Sequence, residues 1–164
     1  MKDLKKEKIV KSEMSAGTML VAFDGSPSSL AALQWAHDHA ELLHLEVKVV
    51  HIWEYAETAL DVAGVGFGSA GFIGESDPKA WSEQILINGV GQVYGERTSE
   101  ILVESIEGGV VKTLVELSKG AALLIIGSRG HGKLADLILG SVSESCSAKS
   151  KCPVVIVHAL ASTL

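Results

Sequence analysis

Hydrophobic residues along the chain fall into two alternating patterns. Short apolar runs occur at Met19 to Phe23, Leu123 to Ile126 and Val154 to Val157, and Val47, Val49, Val50 and Ile52 mark another within Glu46 to Trp53. Such runs suit strands covered on both faces. A further strand is predicted over Ile101 to Ile106, with Ile101, Val103 and Ser105 on one face. Between these runs the pattern becomes helical. Leu33, Ala36, Ala40 and Leu43 make one stripe, opened by Ser26 as N-cap and Pro27 in the first turn. Asp77-Pro78 opens a second helix carrying Trp81, Ile85 and Val93, weakened in its later half by Gly89 and Gly91. Val110 to Lys119, closed by Gly120, and Ser141 to Ser150 are the remaining helices. Strand and helix alternate throughout, which predicts an α/β domain with a parallel sheet between helical layers.

Two segments fall outside this rhythm. Residues 1–17 read as a charged, solvated tail, with five lysines among acids between Lys2 and Lys11. Residues 56–75 hold Gly64, Gly66, Gly68, Gly71 and Gly74 and are predicted to form a mobile loop. The domain is therefore expected to occupy residues 18–160.

Composition narrows the class. The chain has 164 residues, of which 47% are hydrophobic and 21% charged, as expected of one globular domain. The net charge of −6 argues against nucleic acid as a partner. No apolar stretch approaches the roughly 18 residues of a membrane span, and no secretory signal is visible. Cys146 and Cys152 have neither zinc-site nor redox-motif spacing, so a cytoplasmic protein with reduced thiols is expected. His37 and His39 lie two apart on a helix and point to different sides, and His51 and His158 read as structural residues on strands.

The candidate chemistry lies in "IIGSRGHGKLADLILGSVSES", residues 125–145. In an open parallel sheet, ligands bind beyond the carboxyl ends of the strands where strand order reverses. The loops at Asp24 and Gly127 are placed for this. A P-loop reading fits Gly127, Gly132 and Lys133 but fails at Leu134, where a hydroxyl must hold magnesium. A dinucleotide fingerprint fits Gly130, Gly132 and Ala135, yet the following strand ends in His158-Ala159 with no acid. The spacing G-x2-G-x9-G-[ST] is met in full by Gly127, Gly130, Gly140 and Ser141. The first two glycines let backbone approach a ribose and phosphate. The amides of Ser141, Val142 and Ser143 open a helix whose N-terminus attracts anions, and the serine hydroxyls can donate to phosphate oxygens.

In this context the chain resembles the universal stress protein family, in its ATP-binding branch. The likeness runs from about residue 17 to 159. It rests on "VAFDGS" at 21–26, "VVHIWE" at 49–54, "LLIIGSRGHG" at 123–132, "LGSVSE" at 139–144 and "CPVVIVH" at 152–158. The resemblance implies a three-layer α/β/α domain of the adenine nucleotide alpha hydrolase-like kind, with a five-stranded parallel sheet of order 3-2-1-4-5. It implies that the backbone at Ala22 lines the ribose, that Asp24 contacts the nucleoside and that the main chain of Ile52 pairs with adenine. Gly127, Ser128, Arg129, Gly130, His131, Gly132 and Lys133 would wrap the ribose and phosphates, and Gly140, Ser141, Val142 and Ser143 would cap the phosphate end. The implied ligand is ATP, ADP or AMP, with Mg2+ or Mn2+ only as a companion of the phosphates. A homodimer through Val154 to Val157 is also implied. Plainer roles stand beside these: Asp24 as a turn residue, Ser141 as an N-cap, and Arg129, His131 and Lys133 as solvated loop residues. No dedicated base for hydrolysis is visible, so the resemblance suggests a nucleotide-dependent switch or sensor with slow hydrolysis at most. Its alternative is a nucleotide-independent dimeric interaction module.

Overall fold

A computed structural model describes residues 17–54, 77–131 and 139–159. In chain order the elements are β1 (Thr18–Ala22), α1 (Pro27–Leu43), β2 (Glu46–Trp53), α2 (Pro78–Tyr94), a 3-10 turn (Gly95–Glu100), β3 (Leu102–Glu107), α3 (Val110–Ser118), β4 (Leu123–Gly127), α4 (Ser141–Lys149) and β5 (Val154–Val157). The five strands form one parallel sheet of order β3-β2-β1-β4-β5. β1 lies between β2 and β4, so the strand order reverses between β1 and β4. The N-terminal tail before residue 17 and the glycine-rich segment 56–75 lie outside the described residues. Among those described, no helix is long and apolar enough to cross a membrane.

Strand periodicity sorts the core into two layers. Met19, Val21 and Phe23, with Val47, Val49 and Ile125, pack beneath α1 and α2. Leu20 and Ala22, with Val50, Ile52, Leu124 and Ile126, pack beneath α3 and α4. The result is three layers. Every β1 residue is buried, as the unbroken apolar run requires. One ion pair interrupts the apolar order: Lys48 on β2, 3% exposed, reaches Glu104 on β3 at 2.7 Å. Both residues alternate onto the α3 side, and a displaced register would part them.

The helix starts follow from local chemistry. Ser26 accepts from the Ser29 amide and Asp77 from the Lys79 amide, each ahead of a proline in the first turn. Helix α1 ends on His44 with φ at 53°, a left-handed residue whose N–H reaches the last carbonyls of the helix. The apolar stripe of α1 differs from its expected course. Ala32, Leu33 and Ala36 are buried, whereas Leu43 is 44% exposed because it ends the helix beyond the packed layer.

Helix α2 persists through its glycines to Tyr94, against the weakening expected of its second half. At Gly89 the reason is contact. A Cβ there would lie 2.2 Å from Cζ of Phe23, so the bare backbone receives the buried ring that ends the β1 run. Gly91 has nothing within 4 Å of a Cβ. The two glycines should therefore respond oppositely to alanine. Gly89→Ala is expected to destabilise by about 1–3 kcal/mol through overpacking. Gly91→Ala is expected to stabilise by up to about 1 kcal/mol through helix propensity. Chemical denaturation of both variants checks this, and equal shifts would contradict the packing account.

Candidate functional site

The site is built where β1 and β4 end side by side. Beyond Ala22 the chain makes a tight turn. The Asp24 carboxylate accepts from the Ser26 amide through Oδ1 at 2.9 Å, and the Asp24 amide approaches Ser29 Oγ at 3.3 Å. Gly25 between them has φ at 81°, a conformation that favours glycine. Asp24 is 1% exposed, and its Oδ2 is buried with no hydrogen-bond partner among the described residues. An ionised carboxylate oxygen left bare in the interior is unfavourable by a few kcal/mol unless another group satisfies it.

The loop after β4 is stitched to this turn. Ser26 Oγ donates to the Arg129 carbonyl at 3.3 Å. His131 Nε2 lies 2.8 Å from the Asp24 carbonyl, which can only accept, so that ring nitrogen carries the hydrogen. Ser128 donates its amide to Val157 at 2.7 Å, and Gly140 returns its amide to the Ser128 carbonyl at 2.7 Å. Gly132 and Lys133 lie outside the described residues.

The glycines divide by role. At Gly127 a Cβ would fall 2.6 Å from the Ser28 carbonyl carbon and 2.7 Å from the Ser29 nitrogen. The sequence reading gave this bare position to a ligand, but its lack of a side chain answers to the first turn of α1. At Gly140 a Cβ would meet only ordinary contacts, the nearest being Ser128 O at 3.4 Å, and the backbone is plainly extended. Gly140 is the N-cap of α4 and supplies no side-chain hydrogen bond, so the first amides of that helix have no side-chain cap.

The serines divide as well. Ser141 is exposed at the helix start. Ser143 is buried, and its hydroxyl donates to the Gly127 carbonyl at 2.7 Å and leans toward Ser128 O at 3.3 Å. Its hydrogen is thus committed to the loop, contrary to the expectation that it faces phosphate, and only its amide belongs to the helix terminus. Val142 and Cys146 bury the inner face of α4 beneath the sheet. Ile52, 3% exposed, turns its side chain into the same layer and leaves its main chain at the carboxyl end of β2.

One polar group matters more here than its sequence signal suggested. His51 is wholly buried on the α2 side. Its Nδ1 lies 2.7 Å from Ser82 Oγ, Ser82 Oγ lies 2.6 Å from Ser105 Oγ, and Trp53 Nε1 donates to Ser105 at 2.9 Å. The arrangement that uses the indole hydrogen and both hydroxyl hydrogens runs from Trp53 to Ser105 to Ser82 to His51 Nδ1. It leaves the ring hydrogen on Nε2, which has no partner among the described residues. Sequence could place His51 on a strand, but not this chain drawn from β2, β3 and α2. Burial pushes its pKa down to about 4, opposed by the Asp24 charge and assisted by His131.

Among the described residues no cluster of three His, Cys, Asp or Glu could hold a metal ion. Cys146 and Cys152 are free thiols, and burial raises the pKa of both, that of Cys146 to about 11.

The arrangement is that of an open parallel α/β domain whose β1 and β4 loops are hydrogen-bonded to each other at its strand-order reversal. The universal stress protein family model matches residues 16–158, and the chain belongs to that family. It is 31% identical over 169 residues to the stress response protein NhaX of Bacillus subtilis, an alignment covering 87% of this chain and 98% of NhaX. It is 30% identical over 151 residues to the universal stress protein Rv2005c of Mycobacterium tuberculosis, covering 85% of this chain but 47% of that protein. The chain thus spans about half the length of that mycobacterial relative. Among solved structures, a universal stress protein in complex with cAMP superposes with a TM-score of 0.62 at 25% identity, covering 90% of this chain and 99% of the other.

The His51 pKa gives a pH signature. A histidine whose folded-state pKa lies below its unfolded value contributes stability that is complete above the unfolded value, near 6.5, and is lost as pH falls toward 4. Each pH unit in that window removes up to about 1.4 kcal/mol. The stability of the native chain should therefore fall toward that of His51→Gln as pH drops from 6.5 to 4. Thermal melts of both proteins across that range check this, and a constant gap would refute it.

Proposed function

We propose that this chain binds an adenine nucleotide across the ends of β1, β2 and β4 and works as a nucleotide-dependent switch or sensor in the stress response. The observation that carries the reading is the bare Oδ2 of Asp24, a buried acceptor in the turn after β1, with the uncapped start of α4 joined to the neighbouring β4 loop. A ribose hydroxyl would satisfy the carboxylate, and a phosphate would take the amides of Ser141, Val142 and Ser143. The main chain of Ile52 would meet the adenine edge and the backbone at Ala22 the ribose. Ser128 to Gly130 would run beside the phosphates, with Arg129, His131 and, beyond the described residues, Gly132 and Lys133 close by. The cAMP held by the relative at 25% identity supports a ligand of this chemistry. ATP is the proposed native ligand. Any Mg2+ or Mn2+ would arrive on its phosphates, since no described protein cluster holds one. The proposed switch involves slow hydrolysis at most.

Gly140 offers a test that separates fold from ligand. Aspartate is a good N-cap, and the backbone there suits it. Gly140→Asp should leave the melting temperature unchanged or slightly raised. The added charge should weaken ATP by about ten-fold or more, the worth of roughly 1.4 kcal/mol. Asp24→Ala should weaken ATP, ADP and AMP alike, because all three share the nucleoside. Calorimetry with the three nucleotides reads both effects. Unchanged affinity in Gly140→Asp, or no binding by the native chain, would overturn the reading.

β5 forms one edge of the sheet, and its four apolar residues are all half-buried within one chain. We propose that two copies pair through it. Light scattering at micromolar concentration should give twice the 17.2 kDa chain mass, and a monomer would refute the pairing.

A further inference from the structure

At the opposite end of the sheet, a cleft of about 580 Å³ opens between the last turns of α1 and α2 and the starts of β2 and β3. Its floor includes Ala40, Leu45, Val47 and Ile101, all apolar. Its rim carries Asp38, Glu41, Glu46 and Glu100, against Arg97 as the only Lys or Arg among the described residues that line it. Glu100 pairs with Arg97 at 3.0 Å, and Asp38 accepts from Gln34. Glu41 and Glu46 have no ion pair among the described residues. The carboxyl ends of α1 and α2 meet here, which adds negative potential. Tyr94 also lines the cleft. It is 7% exposed, its ring edge meets His37, and its buried hydroxyl has no hydrogen-bond partner. Burial pushes the phenol up to about 12, with Arg97 opposing and Asp38 assisting, so it remains a hydrogen donor at neutral pH. The cleft thus presents an apolar floor and an acidic rim.

The chain carries a segment of matching chemistry. "KKEKIVK", residues 5–11, places Ile9 and Val10 among Lys5, Lys6, Lys8 and Lys11. It leads into Gly17, whose carbonyl accepts from the amide of Glu46, a rim residue. Six residue steps separate Lys11 from Gly17 and reach about 20 Å when extended. The starts of β1 and β3, one strand apart, are about 10 Å from each other. We propose that this N-terminal segment docks in the cleft of its own chain, with Ile9 and Val10 on the floor and its lysines against Glu41 and Glu46. Docking would cover the acidic end of the sheet and leave the proposed nucleotide site untouched, so the two readings stand or fall separately.

Trypsin cuts after lysine, so its rate at the tail reports docking directly. The full chain and a free peptide of residues 1–16 are digested side by side and followed by mass spectrometry. Cleavage at Lys5 to Lys11 should be about ten-fold slower in the full chain, since proteolysis follows the undocked population. Glu41→Lys with Glu46→Lys leaves every tail cleavage site in place and should bring the rate to within about three-fold of the peptide's, as should high salt. Melting curves confirm that this variant is folded. Docking within one chain should protect equally at about 1 and 100 µM protein, because the linker sets the effective concentration. Three results would overturn the proposal: cleavage of the native chain at the peptide's rate, protection that survives reversal of the rim charges, or protection that grows with protein concentration, which would assign the cleft to a second copy.

Discussion

The arrangement at the strand-order reversal depends on one close approach. The end of β4 passes the first turn of α1 so tightly that a single carbon on Gly127 would overlap the backbone of Ser28 and Ser29. Backbone cannot swing aside as a long side chain can, so the approach exists only with glycine there. It brings the loop after β4 within hydrogen-bond reach of the turn after β1, where Ser26 meets Arg129 and Asp24 meets His131. On the other side, Ser143 fastens α4 to the Gly127 carbonyl. Three segments distant in sequence are thereby held around one position.

Much of this was legible in the sequence, for physical reasons. A parallel sheet covered on both faces writes its strands as unbroken apolar runs, so Glu46 to Trp53 and Val154 to Val157 were bounded as observed. Helix starts at Ser26-Pro27 and Asp77-Pro78 rest on hydrogen bonds two or three residues long, which a local reading can see. What escaped depends on distant partners. Gly89 reads as a defect in α2 until Phe23 is placed against it. Gly127 and Gly140 look alike in a motif, yet one is set by packing and the other is not. Ser143 looks like a ligand donor until its hydroxyl is found on a carbonyl, and Leu43 extends a stripe that the helix has already carried past the core. His51 had a position but no environment, because its partners come from three elements.

The parallel sheet also separates two electrostatic environments. The carboxyl ends of the five strands lie at one end, where α4 presents an uncapped N-terminus and Asp24 a bare oxygen. Every segment that precedes a strand lies at the other, where the carboxyl ends of α1 and α2 meet the acids of the cleft. Helix direction in a parallel sheet makes this segregation automatic: the dipoles point alike, and side-chain charge reinforces rather than cancels them. The two ends of one small domain therefore differ in electrostatic character.

The glycine motif carries its strongest information where the fold does not need it. Gly127 would be required of this fold whether or not anything bound, so its presence says little about a ligand. Gly140 is different. It has an ordinary extended backbone, room for a Cβ, and the N-cap position, where a short polar side chain would give α4 an added bond. The small stability forgone leaves the first amides of the helix without a side-chain cap. Gly140, which forgoes a cap, and Asp24, whose buried Oδ2 has no partner among the described residues, are two departures from local optimum, and the proposed nucleotide site rests on both.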